Sequence, residues 1–314
     1  MTYIRTYGYE DDEGNWVRPE PKEDDEYTYQ WNAKWATDPS KPILKITKSS
    51  LGSFKWCNLQ YEYSYIDRRP QEQTEAMTKG TVIHDSYEEF YKAVDIKKAQ
   101  PMNFTDLQTY FSSLFPIDDY VDMTSDIAAY EAQRFIDFKN AGILQEFLPA
   151  GNELMLDANI LIPRNTNPKR PLNRDYVVHL QGIIDRIYRN GDSFMPFEFK
   201  TGQWKDSKKT TMRREMAFYK LLMDSSPDWE GEVNKWGWYY PASNHIYLED
   251  VNKRSETSML KAIADLLYAY ELDEFKPSYF YKKCTWCSYQ DLCPAAIESA
   301  LNYQTSTNKV EGWF

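Results

Sequence analysis

Two carboxylates and an ammonium stand close together in one short stretch of this sequence. Asp185 lies in Gln181-Gly182-Ile183-Ile184-Asp185-Arg186-Ile187-Tyr188, and Glu198 and Lys200 lie in Ser193-Phe194-Met195-Pro196-Phe197-Glu198-Phe199-Lys200. Both runs are rich in Ile, Phe and Tyr, and the Asn190-Gly191 step between them is a hairpin signal. A carboxylate buried among apolar strands costs free energy unless a cation or a donor satisfies it, so acids carried into such a hairpin point to a metal site. The two-residue period of a strand sets Glu198 and Lys200 on one face, with the ammonium beside whatever the acids hold. The competing reading is a surface ion pair on an edge strand.

Sulfur forms a second group. Of the four cysteines, Cys284, Cys287 and Cys293 fall in one C-x2-C-x5-C run, and Cys57 lies far upstream. Four thiolates are soft ligands that select zinc or an iron–sulfur cluster, and either would tie the two ends of the chain together. Such closure stabilises a long loop against opening.

Composition limits the classes open to this chain. Its 314 residues suit one main α/β domain with additions. A formal charge of −11 argues against a uniformly basic coat for nucleic acid, but net charge averages over surfaces that differ in sign. Lys205, Lys208, Lys209, Arg213 and Arg214 make one such local basic run, a candidate phosphate-binding patch or a solvated helix face. Trp204, beside them, could stack on a base or pack on the fold. No apolar run is long enough to span a bilayer and the first residues lack a signal-peptide core, so a cytoplasmic protein with no membrane partner is expected. In that compartment the cysteines are expected as ligands or free thiols rather than disulfides.

Patterning then suggests what positions these groups. Residues 1–45, with Glu10-Asp11-Asp12-Glu13 and Glu23-Asp24-Asp25-Glu26, read as an irregular acidic extension, either a solvated arm or a flap that competes with DNA. Thr47 precedes a capped helix carrying Cys57, and Lys79-Gly80-Thr81 opens a helix with His84 in its first turns and a stripe of Tyr87, Phe90, Tyr91 and Val94. On spacing alone His84 is a core residue or a ligand. Helices over about 104–115 and 125–147 precede strands from Glu153, Tyr176 and Ser193, a helix over 207–223, a strand pair over 236–248 and a helix over 255–270. Strands flanked by helices in this way imply an α/β fold with a central mixed sheet. Residues 46–302 form the main domain in this reading and 303–314 a tail; there is no internal repeat.

Taken together these residues resemble the PD-(D/E)XK nucleases, specifically the RecB-like iron–sulfur branch that includes CRISPR-associated exonucleases and AddB-type nuclease domains. The resemblance rests on Gly80-Thr81-Val82-Ile83-His84, then Gly182-Ile183-Ile184-Asp185, then Glu198-Phe199-Lys200, with one early cysteine and three late ones, and it runs from Ile46 to Pro294. It implies a restriction-endonuclease-like core in which His84, Asp185, Glu198 and the backbone carbonyl of Phe199 hold one or two Mg²⁺ or Mn²⁺ ions, with Lys200 catalytic. It also implies a [4Fe-4S] cluster on Cys57, Cys284, Cys287 and Cys293, with zinc as the alternative, joining the N- and C-terminal segments. The implied activity is exonuclease action on DNA, single-stranded or with a free end, in recombination, repair or processing. A departure follows the Glu-x-Lys strand: where the family has Gln-x-x-x-Tyr at the DNA, this chain has Glu215 and Tyr219, and an ionised Glu can accept but not donate. That change leaves open a non-catalytic DNA-binding or assembly module that keeps the fold and cluster.

Overall fold

A computed structural model describes residues 8–18, 31, 41–71 and 73–299. The acidic run Glu23–Glu26 and the tail over 303–314 lie outside the described residues. Within the stretch expected to be irregular, β1 (Tyr9–Glu10) pairs antiparallel with β2 (Trp16–Val17). The Asp11 carboxylate closes their turn by accepting from the backbone N–H groups of Glu13 and Asn15.

After β3 (Lys45–Thr47), Thr47 starts α1 (Lys48–Trp56) through a capping box with Ser50, an arrangement that contributes about 1 kcal/mol. The helix stops at Cys57, whose extended backbone separates it from α2 (Asn58–Tyr61). Cys57 thus occupies a break between two helices, not the interior of one. A π-helical turn, Glu62–Ile66, follows. Thr74 caps α3 (Glu75–Ala93), which starts upstream of the glycine expected to open it and so places His84 in mid-helix. Three more helices follow: α4 (Ile96–Ala99), α5 (Phe104–Ser112) and α6 (Val121–Ala141), the last stopped by Gly142 in the left-handed conformation. The strands β4 (Gly151–Ile162), β5 (Tyr176–Asn190) and β6 (Ser193–Phe199) lead to α7 (Lys209–Ser225). Then come β7 (Lys235–Tyr240), β8 (His245–Asp250), α8 (Lys253–Leu272) and the short α9 (Tyr281–Cys284).

The sheet has six strands in the order β3-β5-β6-β7-β8, with β4 also paired to β5. A tight turn through Gly191 (φ +64°) joins the antiparallel β5 and β6, and α7 carries the chain across so that β7 lies parallel to β6, which makes the sheet mixed. The chain divides into two compact units. One comprises the described residues within 1–72, 159–180 and 260–314, and the other residues 73–158 and 181–259.

In the second unit alternation along β6 decides what each face meets. Phe197 and Phe199 enter a core with Tyr87 and Phe90 of α3, Phe111 of α5 and Phe135 of α6, each fully buried ring contributing about 2 kcal/mol. Glu198 points the opposite way, towards α7. That helix lies close against β5, because a Cβ on Gly182 would come within 3.2 Å of Leu222 and 3.3 Å of Phe218. The aromatic core also holds charge: Glu131 is fully buried and accepts from the hydroxyls of Tyr87 and Tyr91 and, at 2.9 Å, from Arg134. Arg134 donates in addition to the Phe147 carbonyl at 2.6 Å. In the first unit Tyr61 is enclosed by Tyr65, Tyr270 and Phe275, and its hydroxyl bonds that of Tyr270 at 3.0 Å.

Candidate active site

At the end of the β5–β6 hairpin the structure gathers His84 from α3, Asp185 from β5, and Glu198, Phe199 and Lys200 from β6 and its exit. His84 Nε2 lies 3.1 Å from the Phe199 carbonyl oxygen, and its Nδ1 lies 3.9 Å from Asp185. Asp185 is buried and accepts the Phe199 N–H at 2.8 Å, a bond that fixes the carboxylate to the neighbouring strand. Lys200 pairs with the buried Glu198 and, at 3.2 Å, with Glu215 of α7. The Lys200 side chain remains 33% exposed.

Glu153 joins this group, and sequence patterning missed it. Its carboxylate stands 3.6 Å from His84 Nδ1 and 3.0 Å from the guanidinium of Arg186. His84, Glu153 and Asp185 each offer a ligand atom within 4.8 Å of the others, and among the described residues this is the acid, imidazole or thiolate group that meets that criterion. Glu153 also has φ +47°, a left-handed conformation that costs a non-glycine residue about 1 kcal/mol or more. The one signal in the sequence was an acid heading an apolar strand. Hard oxygen donors with one imidazole and a backbone carbonyl fit Mg²⁺ or Mn²⁺ better than a soft metal.

The electrostatics assign protonation states. Burial pulls Lys200 down, but Glu198, Glu215 and Asp185 outweigh it and hold the side chain cationic well above the ordinary lysine range. Burial likewise pulls His84 down, and the surrounding carboxylates Glu153, Asp185 and Glu198 reverse the sign, leaving it raised. Tyr219, expected at the DNA, is fully buried; burial and then the charge of Glu198 push its phenol well up, and it hydrogen-bonds Glu198 from below. Glu215, the departure from the family pattern, holds the second side of Lys200.

The basic run divides. Lys205 is exposed, Lys208 donates to the Gln203 carbonyl at 2.6 Å, and Lys209 lies 4.2 Å over the Tyr247 ring. Arg214 is partly buried. Arg213 donates to both carboxylate oxygens of Glu249. Trp204 packs flat on His245, with ring centroids 4.2 Å apart and 9° between planes, and against Trp238.

In the other unit Cys57, Cys284, Cys287 and Cys293 line one small, partly open pocket, together with Trp56, Tyr279 and Lys283. None of the four forms a disulfide, and Cys57 accepts the Ser278 N–H at 3.3 Å. No helix is long and apolar enough to cross a membrane among the described residues.

No curated protein matches the chain. Among solved structures, the crystal structure of SSO0001 is similar over 84% of this chain and 92% of its own, at 14% identity and a TM-score of 0.36. The model of the PD-(D/E)XK nuclease superfamily matches residues 45–294, a range that contains the hairpin, the histidine helix and all four cysteines. Matched over that length, this chain belongs to the PD-(D/E)XK nuclease superfamily.

Proposed function

We propose that this chain is a metal-dependent deoxyribonuclease of the RecB-like branch, acting as an exonuclease on single-stranded DNA ends in recombination, repair or processing. The observation that carries the reading is the convergence of His84, Asp185 and the Phe199 carbonyl beside the Glu198–Lys200 pair, in a chain of a nuclease superfamily. His84, Asp185, Glu198 and the Phe199 carbonyl would hold Mg²⁺ or Mn²⁺. Once bound, such an ion lowers the pKa of a coordinated water and neutralises phosphate charge. Lys200, kept cationic by its three carboxylate neighbours, orients the attacking water or stabilises the developing oxyanion. Glu215 fixes the ammonium from the α7 side and Tyr219 fixes Glu198 from within the core. Lys205, Lys208, Lys209 and Arg214 supply cations for the phosphates of the strand. Linear and circular single-stranded DNA of one sequence test the mode of attack: short products are expected from the linear form alone, and nicking of the circle at a similar rate would make the enzyme an endonuclease.

We propose that Cys57, Cys284, Cys287 and Cys293, which line one pocket, hold an iron–sulfur cluster, with zinc as the alternative. Anaerobically purified protein is expected to be brown, and Cys57→Ser to lose colour and melting temperature together. A colourless preparation with stoichiometric zinc would assign the site to zinc and leave the nuclease site untouched.

A further inference from the structure

We infer that the segment leaving β6 builds a nucleotide subsite beside Lys200, in which Lys205 and Lys208 take a backbone phosphate of single-stranded DNA and Trp204 stacks on the adjoining base. The inference rests on the nuclease reading and adds where the strand is held next to the reacting groups. All of these residues belong to one compact unit.

The cations of this segment are not all matched by acids. Lys200 has Glu198 and, at 3.2 Å, Glu215, and Arg213 has Glu249. Lys208 instead donates to a neutral acceptor, the Gln203 carbonyl, at 2.6 Å and lies 5.2 Å over the ring of Tyr240. Among the described residues no carboxylate pairs with the ammonium of Lys205 or Lys208. A Cβ on Gly202 would stand 3.7 Å from Lys208 Nζ, so that ammonium lies over the turn that follows Lys200. Burial pulls Lys208 down, and the like charges of Lys205 and Lys200 pull it the same way. Three ammonium groups therefore repel one another here, and a phosphate between them relieves that repulsion while it releases counterions.

The aromatic side of the subsite is held in place before any ligand arrives. The Lys200 N–H donates to the Tyr239 carbonyl at 3.0 Å and the Trp204 N–H to Ser243 Oγ at 2.9 Å, so both ends of the segment are tied to β7 and the turn after it. The indole N–H of Trp204 donates to Asp206 at 3.2 Å, which sets the ring's rotation, and His245 supports the ring by its flat stack. Trp238, which also packs against this indole, is fully buried, whereas Trp204 keeps part of its surface exposed. A ring fixed in this way loses little freedom when a base stacks on it. Lys205, next to it in the chain, is exposed. An aromatic platform beside unmatched cations suits a single strand, whose bases are free to stack and whose phosphates carry the charge.

Binding of the full-length chain to a short fluorescent oligothymidylate, read by anisotropy in chelator over a range of salt, tests the subsite without turnover. Lys208→Gln can still donate to the Gln203 carbonyl, and it should lower the slope of log affinity against log salt by about 0.7, or about 1.4 when combined with Lys205→Gln. Lys235→Gln, at the far end of β7, should leave the slope as it is. Trp204→Leu should weaken binding about fivefold or more, and Trp204→Phe much less. Removing one base near an end of the oligonucleotide should cost the wild type a similar factor and cost Trp204→Leu nothing further. If melting shows that Trp204→Leu loosens the fold, the lysine variants and the base-by-base series in the wild type decide. Wild-type protein that binds no oligonucleotide would overturn the inference, as would an unchanged salt slope in the double lysine variant, or equal losses at every base position. The expected binding pattern in a protein that cuts no DNA with either ion would refute the nuclease reading alone, and cleavage by a protein indifferent to Trp204 and Lys208 would refute the subsite alone.

Discussion

Asp185→Asn and Lys200→Ala are each expected to lower the rate of DNA cleavage at least a hundredfold while the protein stays folded. Removing a metal carboxylate, or the cation that meets developing charge on the phosphate, should raise the barrier by about 3 kcal/mol or more. Asparagine is the informative replacement at 185, because its carbonyl can still accept the Phe199 N–H that Asp185 accepts at 2.8 Å. Alanine there would leave a buried donor unsatisfied, at a cost of about 1–3 kcal/mol, and so confuse folding with chemistry. At position 200 the lost ammonium leaves Glu198 and Glu215 without their shared partner, but the side chain is 33% exposed and water offsets part of that loss. Initial rates on end-labelled DNA, with thermal melts of each variant, make the comparison. Activity within a few fold of wild type in either folded variant would remove that residue from the mechanism.

The second large effect is on stability and lies away from the reacting groups. Glu131→Ala is expected to destabilise the chain by about 3–5 kcal/mol, since it leaves the charge of Arg134 in the core without its counter-ion. The guanidinium is enclosed by the rings of Phe147 and Tyr188 at 4.3 and 4.7 Å, so it has little room to reach water. The hydroxyls of Tyr87 and Tyr91 lose their acceptor at the same time. Denaturant unfolding of wild type and variant measures the difference, and a change below about 1 kcal/mol would show that the network is relaxed by water or by rearrangement.

What could be read from residue order was the part of the site built locally. The Asn190-Gly191 turn and the alternation of Glu198 with Phe197 and Phe199 are short-range features, and the hairpin, with Lys200 beside Glu198, follows them. His84 is different: its spacing matches a core stripe as well as a ligand, and only the resemblance to a nuclease family separated those readings. Glu153 stayed hidden because its left-handed backbone and its pairing with Arg186 arise from tertiary contact, and an acid at a strand's beginning reads as solvent-facing. The same limit explains Arg213, which meets Glu249 across 36 positions of chain. It also explains Tyr219, whose helical spacing could not say whether the phenol faced DNA or the buried Glu198.

The account stands most directly on metal-dependent cleavage by the wild-type chain. Full-length protein stripped with chelator is incubated with end-labelled linear single-stranded DNA, alone, with Mg²⁺ or Mn²⁺, and with excess chelator restored afterwards, with Asp185→Asn in parallel. The account predicts no cleavage by the stripped protein, cleavage on adding either ion, arrest on returning the chelator, and none in the variant under any condition. Cleavage that continues in chelator would contradict it, as would a folded wild-type protein that binds the DNA but leaves it intact with both ions.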